Sequence, residues 1–292
     1  MLVAAMLLAG CGAPRPVGPG GLRVLAAETF LGDITQNVAG DRIQVETLLR
    51  PGVDPHEFQP TPQDAIRIEQ SQLLIVNGVG YETWLTKTLQ DSAGQTKLVV
   101  ASEGLSPMAD PSAEHPEGDP HMWMNPLDVI HYVEKIRDGL SKADPAGAAT
   151  YSSNADIYIS KLRELDQSIK DQVARIPAAK RLLVTNHDAL GYFAVAYSFR
   201  IVGAVIPSVT SDSSPSAREM ADLIQTIKAN GAPAIFLDVS ENQKLADQIA
   251  AESGAKVVTG LYVETLSAPN GPAATYIEMM KYDVTLIAGA LE

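Results

Sequence analysis

Eight short runs rich in β-branched residues alternate along the chain with longer segments of helical periodicity. This alternation is typical of parallel sheets whose strands are joined by crossover helices. The predicted strands are Arg23 to Thr29, Ile43 to Leu49, Leu73 to Gly78, Lys97 to Ser102, Arg181 to Asn186, Arg200 to Val205, Ala234 to Val239 and Lys256 to Gly260. The sequence therefore predicts an α/β fold with two similar lobes, each with a four-stranded, mainly parallel sheet flanked by helices.

A single long helix is predicted between the two sets of strands. The apolar residues that recur there at near-helical spacing are Ile157, Leu162, Leu165, Ile169 and Val173. Pro145 suits the first turn of such a helix and Pro177 ends it. A helical connection is stiffer than a Gly/Ser linker, so we expect only modest motion between the lobes. The expected divisions are an N-terminal lobe at 22–143, the linking helix at 144–177 and a C-terminal lobe at 178–292.

The chain opens with an apolar run that ends at its only cysteine, Cys11. The run is too short for a permanent transmembrane helix and is typical of a secretion signal. Its last four residues, Leu8-Ala9-Gly10-Cys11, resemble the lipobox of bacterial lipoproteins, in which the signal is removed and the cysteine carries acyl chains. The alternative is a buried strand or helix, but the following GAPRPVGPGG has the composition of a tether. We therefore expect residues 1–21 to be a lipoprotein signal and tether, and the protein to be extracytoplasmic, lipid-anchored or periplasmic.

The composition excludes several kinds of partner and site. The chain has 22 Lys plus Arg against 35 Asp plus Glu, a net charge of -13, which disfavours nucleic acid and anionic membrane surfaces. One cysteine cannot form a disulfide within the chain, and a thiolate-based metal site is excluded for the same reason.

Three histidines and one glutamate follow predicted strands, which is where open α/β sheets bind their ligands. His56 lies in RPGVDPHEFQPTP, His121 opens HMWMNP, His187 lies in VTNHDALGYFA and Glu264 lies in TGLYVETL. Taken alone, His56 could be an exposed loop histidine, His121 could cap a helix or line an aromatic core, and Glu264 could be a surface glutamate. Together, three imidazoles and a carboxylate form an N3O set suited to Zn²⁺. The sequence therefore predicts a metal held in a cleft between the two lobes.

Four of these segments, VDPHEFQPTPQD, DPHMWMNP, TNHDALGYF and LYVETL, resemble the zinc- and manganese-binding solute-binding lipoproteins of bacterial ABC importers, the cluster A-I metal receptors. The resemblance extends from Arg23 to Leu291, with the motifs in the family's order. It implies a two-lobe fold with a rigid linking helix, a metal bound between the lobes and delivery of that metal to a membrane permease. It also implies a monomer that works by capture and release.

The resemblance assigns roles to individual positions. His56, His121 and His187 match the family's histidine ligands, and Glu264 matches a carboxylate that is more often aspartate. Asp238, at the end of AIFLD, matches an acidic position near the site, so it is expected to support the ligands and is the alternative fourth ligand.

The identity of the metal has two candidates. In the family, glutamate in place of the third histidine is associated with manganese, whereas three histidines favour zinc. Because His187 occupies that position, we expect zinc, and a manganese receptor is the alternative. The acidic loop Ala109 to Pro120 contains a single histidine, His115. This loop is either a weak collecting tether for cations or a solvated loop.

A hydrolase and an adhesin are the alternatives to metal delivery. A secreted zinc hydrolase could use the three histidines with Glu264 or Glu57 as general base, but the sequence lacks HExxH. A closed set of four protein ligands also leaves no position for an activated water. We therefore expect no enzyme. An adhesin that uses the same fold stays open as a further function.

Overall fold

All eight predicted strands are confirmed in a computed structural model, which describes residues 21–85, 97–110, 115–240 and 243–292. The strands are β1 Val24–Ala26, β2 Val45–Thr47, β3 Leu73–Val76, β4 Lys97–Val100, β5 Leu182–Thr185, β6 Arg200–Ala204, β7 Ala234–Asp238 and β8 Lys256–Leu261. The expected signal, including Cys11, lies outside the described residues, as do positions 111–114 of the acidic loop.

Each lobe has one four-stranded sheet, and every strand pairing in it is parallel. The strand orders are β2-β1-β3-β4 and β6-β5-β7-β8, so the two sheets share one topology. The inner strands β1, β3, β5 and β7 are buried along their whole length. Strands covered on both faces are the reason that these segments read as continuous apolar runs in the sequence.

The described residues also form α-helices that cover the sheets. They are α1 Thr29–Ala39, α2 Pro62–Gln70, α3 Pro126–Ala143, α4 Ala148–Val173, α5 Gly191–Tyr197, α6 Ala217–Asn230, α7 Lys244–Ser253 and α8 Tyr276–Leu291. Helices α2 and α6 each begin with a capping box, in which Thr61 pairs with Asp64 and Ser216 with Glu219. In the part of the chain that the structure describes, no helix is both long and apolar enough to span a bilayer.

The long helix α4 lies between the two sheets in the chain, as predicted, but it is shorter than the expected linker. A 3₁₀ turn at Pro145–Gly147 precedes it. Ile157, which the apolar pattern placed on the buried face, is 55% exposed, because that face passes through Tyr158 and Ile159 instead. Helix α4 packs against α1, α3 and α8. One apolar cluster contains residues of both sheets, such as Val24 and Phe236, so the lobes share a core.

Candidate metal centre

The structure brings His56, His121, His187 and Glu264 together between the lobes. One ligand atom from each residue lies within 4.8 Å of the ligand atoms of the other three. His121, His187 and Glu264 are buried, and the side chain of His56 is only 3% exposed. Four residues that are distant in the sequence therefore form a single group of three imidazoles and one carboxylate.

The first two histidines follow the same local motif, Asp-Pro-His. In each copy the aspartate accepts a hydrogen bond from the histidine backbone N–H, at 2.8 Å for Asp54 to His56 and 2.9 Å for Asp119 to His121. Asp119 Oδ1 also lies 2.7 Å from Nδ1 of His121. A carboxylate at Nδ1 holds the ring in one orientation and leaves Nε2 to bind a metal.

Glu264 lies at the centre of the group. Its Oε1 is 3.0 Å from Nε2 of His187 and 3.1 Å from Nε2 of His121, and its Oε2 is 3.9 Å from Nε2 of His56. Among the described residues, Nε2 of His56 and Nε2 of His121 have no hydrogen-bond partner. Buried ring nitrogens normally have one. Their convergence on a carboxylate is the arrangement expected of metal ligands.

The backbone that carries Glu264 is fixed by side chains from three directions. Asp238 Oδ2 accepts hydrogen bonds from the N–H groups of Val263 and Glu264, at 2.5 and 3.3 Å. Asp283, from α8, accepts from the N–H of Tyr262 at 2.9 Å. Trp123 Nε1, from the N-terminal lobe, donates to the carbonyl of Val263 at 2.9 Å. The other oxygen of Asp238 accepts from the N–H and the hydroxyl of Ser240, so both oxygens of this carboxylate already accept hydrogen bonds from groups outside the ligand set.

Tyr81 donates a hydrogen bond to Glu264 Oε2 and packs edge-on against the ring of His56. It follows a tight turn in which Gly78, Val79 and Gly80 all have positive φ, at 90°, 55° and 69°. A β-branched residue rarely adopts this conformation. The turn is fixed by the Glu82 carboxylate, which accepts hydrogen bonds from the N–H groups of Asn77 and Gly78. Our sequence reasoning missed Tyr81, although its position after a strand and a glycine turn was an available signal.

The pKa shifts differ sharply among three of the four side chains, His56, His121 and Glu264. Burial lowers the pKa of His56 to about 3. Burial also opposes the charged form of His121, but the carboxylates of Glu264 and Asp119 outweigh it and raise the pKa of His121 to about 10. Burial would raise the pKa of Glu264, yet the neighbouring imidazoles hold that pKa well below its usual value. Without metal, the Glu264 carboxylate, 3.1 Å from Nε2 of His121, thus favours the protonated form of that imidazole.

Two further carboxyl groups are buried near this centre. Glu28 follows β1 and is fully buried. Glu82 follows the turn at residues 78–80 and is also buried. Burial raises the pKa of Glu28 well above its usual value and raises the pKa of Glu82 to about 7. Burial thus disfavours the charged forms of both groups and limits the negative charge that they add near Glu264.

A cavity of about 180 Å³ adjoins His56 and Tyr81. Its wall also includes His115 and Glu117, from the described part of the acidic loop, and Thr210 from the C-terminal lobe. His131 lies elsewhere, on α3, where its Nε2 is 2.8 Å from the carbonyl of Glu103.

Comparison with known proteins identifies the family. The family model described as "Zinc-uptake complex component A periplasmic" matches residues 24–290. The iron-binding protein YfeA of Yersinia pestis is 34% identical over 269 residues, covering 91% of this chain and 85% of YfeA. The manganese-binding lipoprotein MntA of Halalkalibacterium halodurans is 33% identical over 296 residues, covering 99% of this chain and 96% of MntA.

Solved structures agree with this result. The Mn-bound periplasmic metal binding protein from Candidatus Liberibacter asiaticus has a TM-score of 0.83 and 31% identity, covering 93% of this chain and all of that one. The periplasmic zinc binding protein TroA of Treponema pallidum has a TM-score of 0.87 and 26% identity, covering 93% of this chain and 99% of that one. The chain therefore belongs to the ZnuA family of metal-binding, substrate-binding proteins of ABC transporters.

Proposed function

We propose that this chain is an extracytoplasmic receptor that binds Zn²⁺ with high affinity and delivers it to the permease of an ABC importer. Its ligands are Nε2 of His56, His121 and His187 together with the carboxylate of Glu264. The observation that carries the proposal is the convergence of these four buried groups within 4.8 Å. The two buried Nε2 atoms without a hydrogen-bond partner support it further.

The donor set favours zinc. Three imidazoles and one carboxylate match the four-coordinate sites that Zn²⁺ prefers, whereas manganese prefers sites dominated by oxygen. Manganese is the second candidate, because MntA is named as a manganese-binding relative and a solved neighbour is Mn-bound. Asp238 serves as a support for the Glu264 loop in this proposal, since both of its oxygens accept hydrogen bonds from other groups.

The rest of the proposal concerns attachment and organisation. Lobes at 22–143 and 178–292, joined by 144–177, enclose the metal, and the shared apolar core supports a limited motion between them. Lipidation of Cys11 anchors a monomeric protein beside its permease. The names of the relatives as lipoproteins of ABC transporters support the anchor and the permease.

The chemistry is capture and release. Four protein ligands fill the coordination positions of zinc and leave none for an activated water, which a zinc hydrolase needs. Metal-dependent turnover of ester, peptide or phosphate substrates by the purified protein would contradict this part of the proposal.

The experiment is a competition between zinc and manganese for the metal-stripped protein, for the wild type, Glu264→Ala and Asp238→Ala. We expect one-to-one binding with a clear preference for zinc, and a larger loss of affinity in Glu264→Ala than in Asp238→Ala. A preference for manganese would overturn the choice of metal. The absence of tight binding of any divalent ion would overturn the proposed function.

A further inference from the structure

Asp54 contacts both lobes. Its Oδ1 accepts the hydrogen bond from the backbone N–H of His56 at 2.8 Å, and its Oδ2 accepts one from the hydroxyl of Ser211 at 2.5 Å. Ser211 belongs to the C-terminal lobe, 157 positions further along the chain, and is only 6% exposed. One carboxylate therefore shapes the His56 backbone and holds it to the opposite lobe.

The segment that carries Ser211 is also attached to the His187 loop. The carbonyl of Ser208 accepts a hydrogen bond from the N–H of Asp188, the residue after His187, at 2.8 Å. The segment is braced internally, because the Ser208 hydroxyl accepts from the N–H of Thr210 at 3.2 Å. Hydrogen bonds, joined by the backbone of residues 208–211, thus connect His56 through Asp54 and Ser211 to the neighbour of His187.

The same segment forms part of the wall of the cavity beside the metal centre. Val209 and Thr210 line this cavity together with His56. An ion that leaves the ligand set through the cavity passes between the His56 loop and this segment. The Asp54 to Ser211 contact joins these two walls.

We propose that Ser211 and Asp54 are positioning residues that tie the His56 loop to the His187 loop and thereby slow the release of bound metal. This inference rests on the proposed function. Within the described part of the chain, the Ser211 hydroxyl donates to Asp54 and to no ligand side chain, so it acts through Asp54. A short hydrogen bond to a partly buried carboxylate is among the stronger ones in proteins, and its loss is expected to let the two loops separate more often.

The test measures how fast zinc leaves the protein when a strong chelator is added in excess. Ser211→Ala removes the hydroxyl, and Ser211→Thr keeps it. The matched control is Ser213→Ala, because Ser213 is exposed two positions further along the same segment. We expect zinc dissociation from Ser211→Ala to be roughly tenfold faster than from the wild type, with the association rate changed less than twofold. Ser211→Thr is expected to restore most of the difference, and Ser213→Ala to match the wild type.

Thermal unfolding of the metal-free variants separates positioning from a general structural role. A positioning role predicts a change in dissociation rate that exceeds any change in the midpoint of unfolding, with Ser211→Ala folded at the assay temperature. Dissociation from Ser211→Ala at the rate of Ser213→Ala would overturn the inference while leaving the proposed function intact. Failure of the wild type itself to bind zinc would instead overturn the proposed function.

Discussion

The tripeptide Asp-Pro-His occurs at 54–56 and again at 119–121. The two copies differ in the further hydrogen bonds that the aspartate accepts beyond the one from the histidine backbone. Asp119 uses Oδ1 a second time, on the ring of its own histidine, so the imidazole of His121 is held directly. Asp54 uses its second oxygen on Ser211 of the other lobe. His121 is fully buried, whereas His56 borders a cavity.

One tripeptide therefore serves two purposes at a single candidate metal centre. The 119–121 copy holds the His121 ring in one orientation before metal arrives, and Asp119 and Glu264 favour its protonated form, which must lose that proton to bind metal. In the 54–56 copy, burial favours the neutral imidazole of His56, and Asp54 fastens the loop through a contact between lobes. The comparison predicts that changes at the 119–121 copy alter mainly the affinity for metal and that changes at the 54–56 copy alter mainly the rate of its release.

Glu264→Gln tests the group that both histidines face, and we expect the largest effect there. The substitution keeps the shape but removes the negative charge that binds the metal and pairs with His121. Zinc affinity is expected to fall at least a hundredfold, beyond the loss typical of residues that only support a ligand. Competition with a zinc-binding dye measures the change. Glu57→Gln, at an exposed position beside His56, is the control and is expected to match the wild type.

Asp119→Ala tests the ring support that only the second copy has. Zinc affinity is expected to fall between about tenfold and a hundredfold, because the orientation of the His121 imidazole is lost. In Asp54→Ala we expect a smaller loss of equilibrium affinity and a larger increase in zinc dissociation. If both variants lost affinity equally and with equal rates, the two copies would serve the same purpose and the comparison would be wrong.

The pH dependence of binding separates the two histidines by their charge. His121, with a pKa of about 10, must lose a proton to bind zinc, whereas His56, with a pKa of about 3, is already neutral. Affinity is therefore expected to rise with pH, roughly tenfold per pH unit near neutrality, and to level off above the pKa of His121.

Calorimetry in buffers of different ionisation enthalpy gives the number of protons released. We expect the wild type to release at least the proton of His121 for each zinc bound near pH 7.5. A smaller release is expected in Glu264→Gln, which loses a carboxylate that holds the proton on His121. Release of no proton by the wild type would contradict the assignment of a charged His121.

Tyr81→Phe is expected to have the smallest effect. The ring contacts with His56 and His121 remain, and only the hydrogen bond from the hydroxyl to Glu264 is lost. Loss of a hydrogen bond to a charged acceptor predicts a decrease in zinc affinity of several-fold to about tenfold. Isothermal titration would detect it. An unchanged affinity would show that the fixed backbone of the Glu264 loop orients the carboxylate without help.

The strands and the candidate ligands could be predicted because their signals are local. Buried strands such as β3 read as continuous apolar runs, and residues that follow strands lie at the edge where ligands bind. Helix α4 begins at Ala148, later than predicted, because Pro145 begins a 3₁₀ turn and not the helix itself. The prediction that Ile157 lies on the buried face was wrong, because Ile157, Tyr158 and Ile159 are consecutive and cannot all lie on one helical face.

The supporting contacts could not be predicted because they join distant parts of the chain. Tyr81 lies 183 positions from Glu264, and Trp123 lies 140 positions from Val263, so no sequence window contains both partners. The hydrogen bonds within the two Asp-Pro-His copies are a partial exception, because they could be predicted from the sequence. The aspartate and the histidine N–H lie two positions apart, so the repeated tripeptide was a signal for the local turn, although nothing in it indicated Ser211.

The most direct test of the central claim is zinc K-edge X-ray absorption on the one-to-one zinc complex, combined with its crystal structure. The account predicts three imidazole nitrogens and one Glu264 oxygen, at roughly 2.0–2.2 Å from the metal. It also predicts that both oxygens of Asp238 remain bonded to Ser240 and to the backbone of the Glu264 loop. Coordination by Asp238, or by fewer than three imidazoles, would contradict the account.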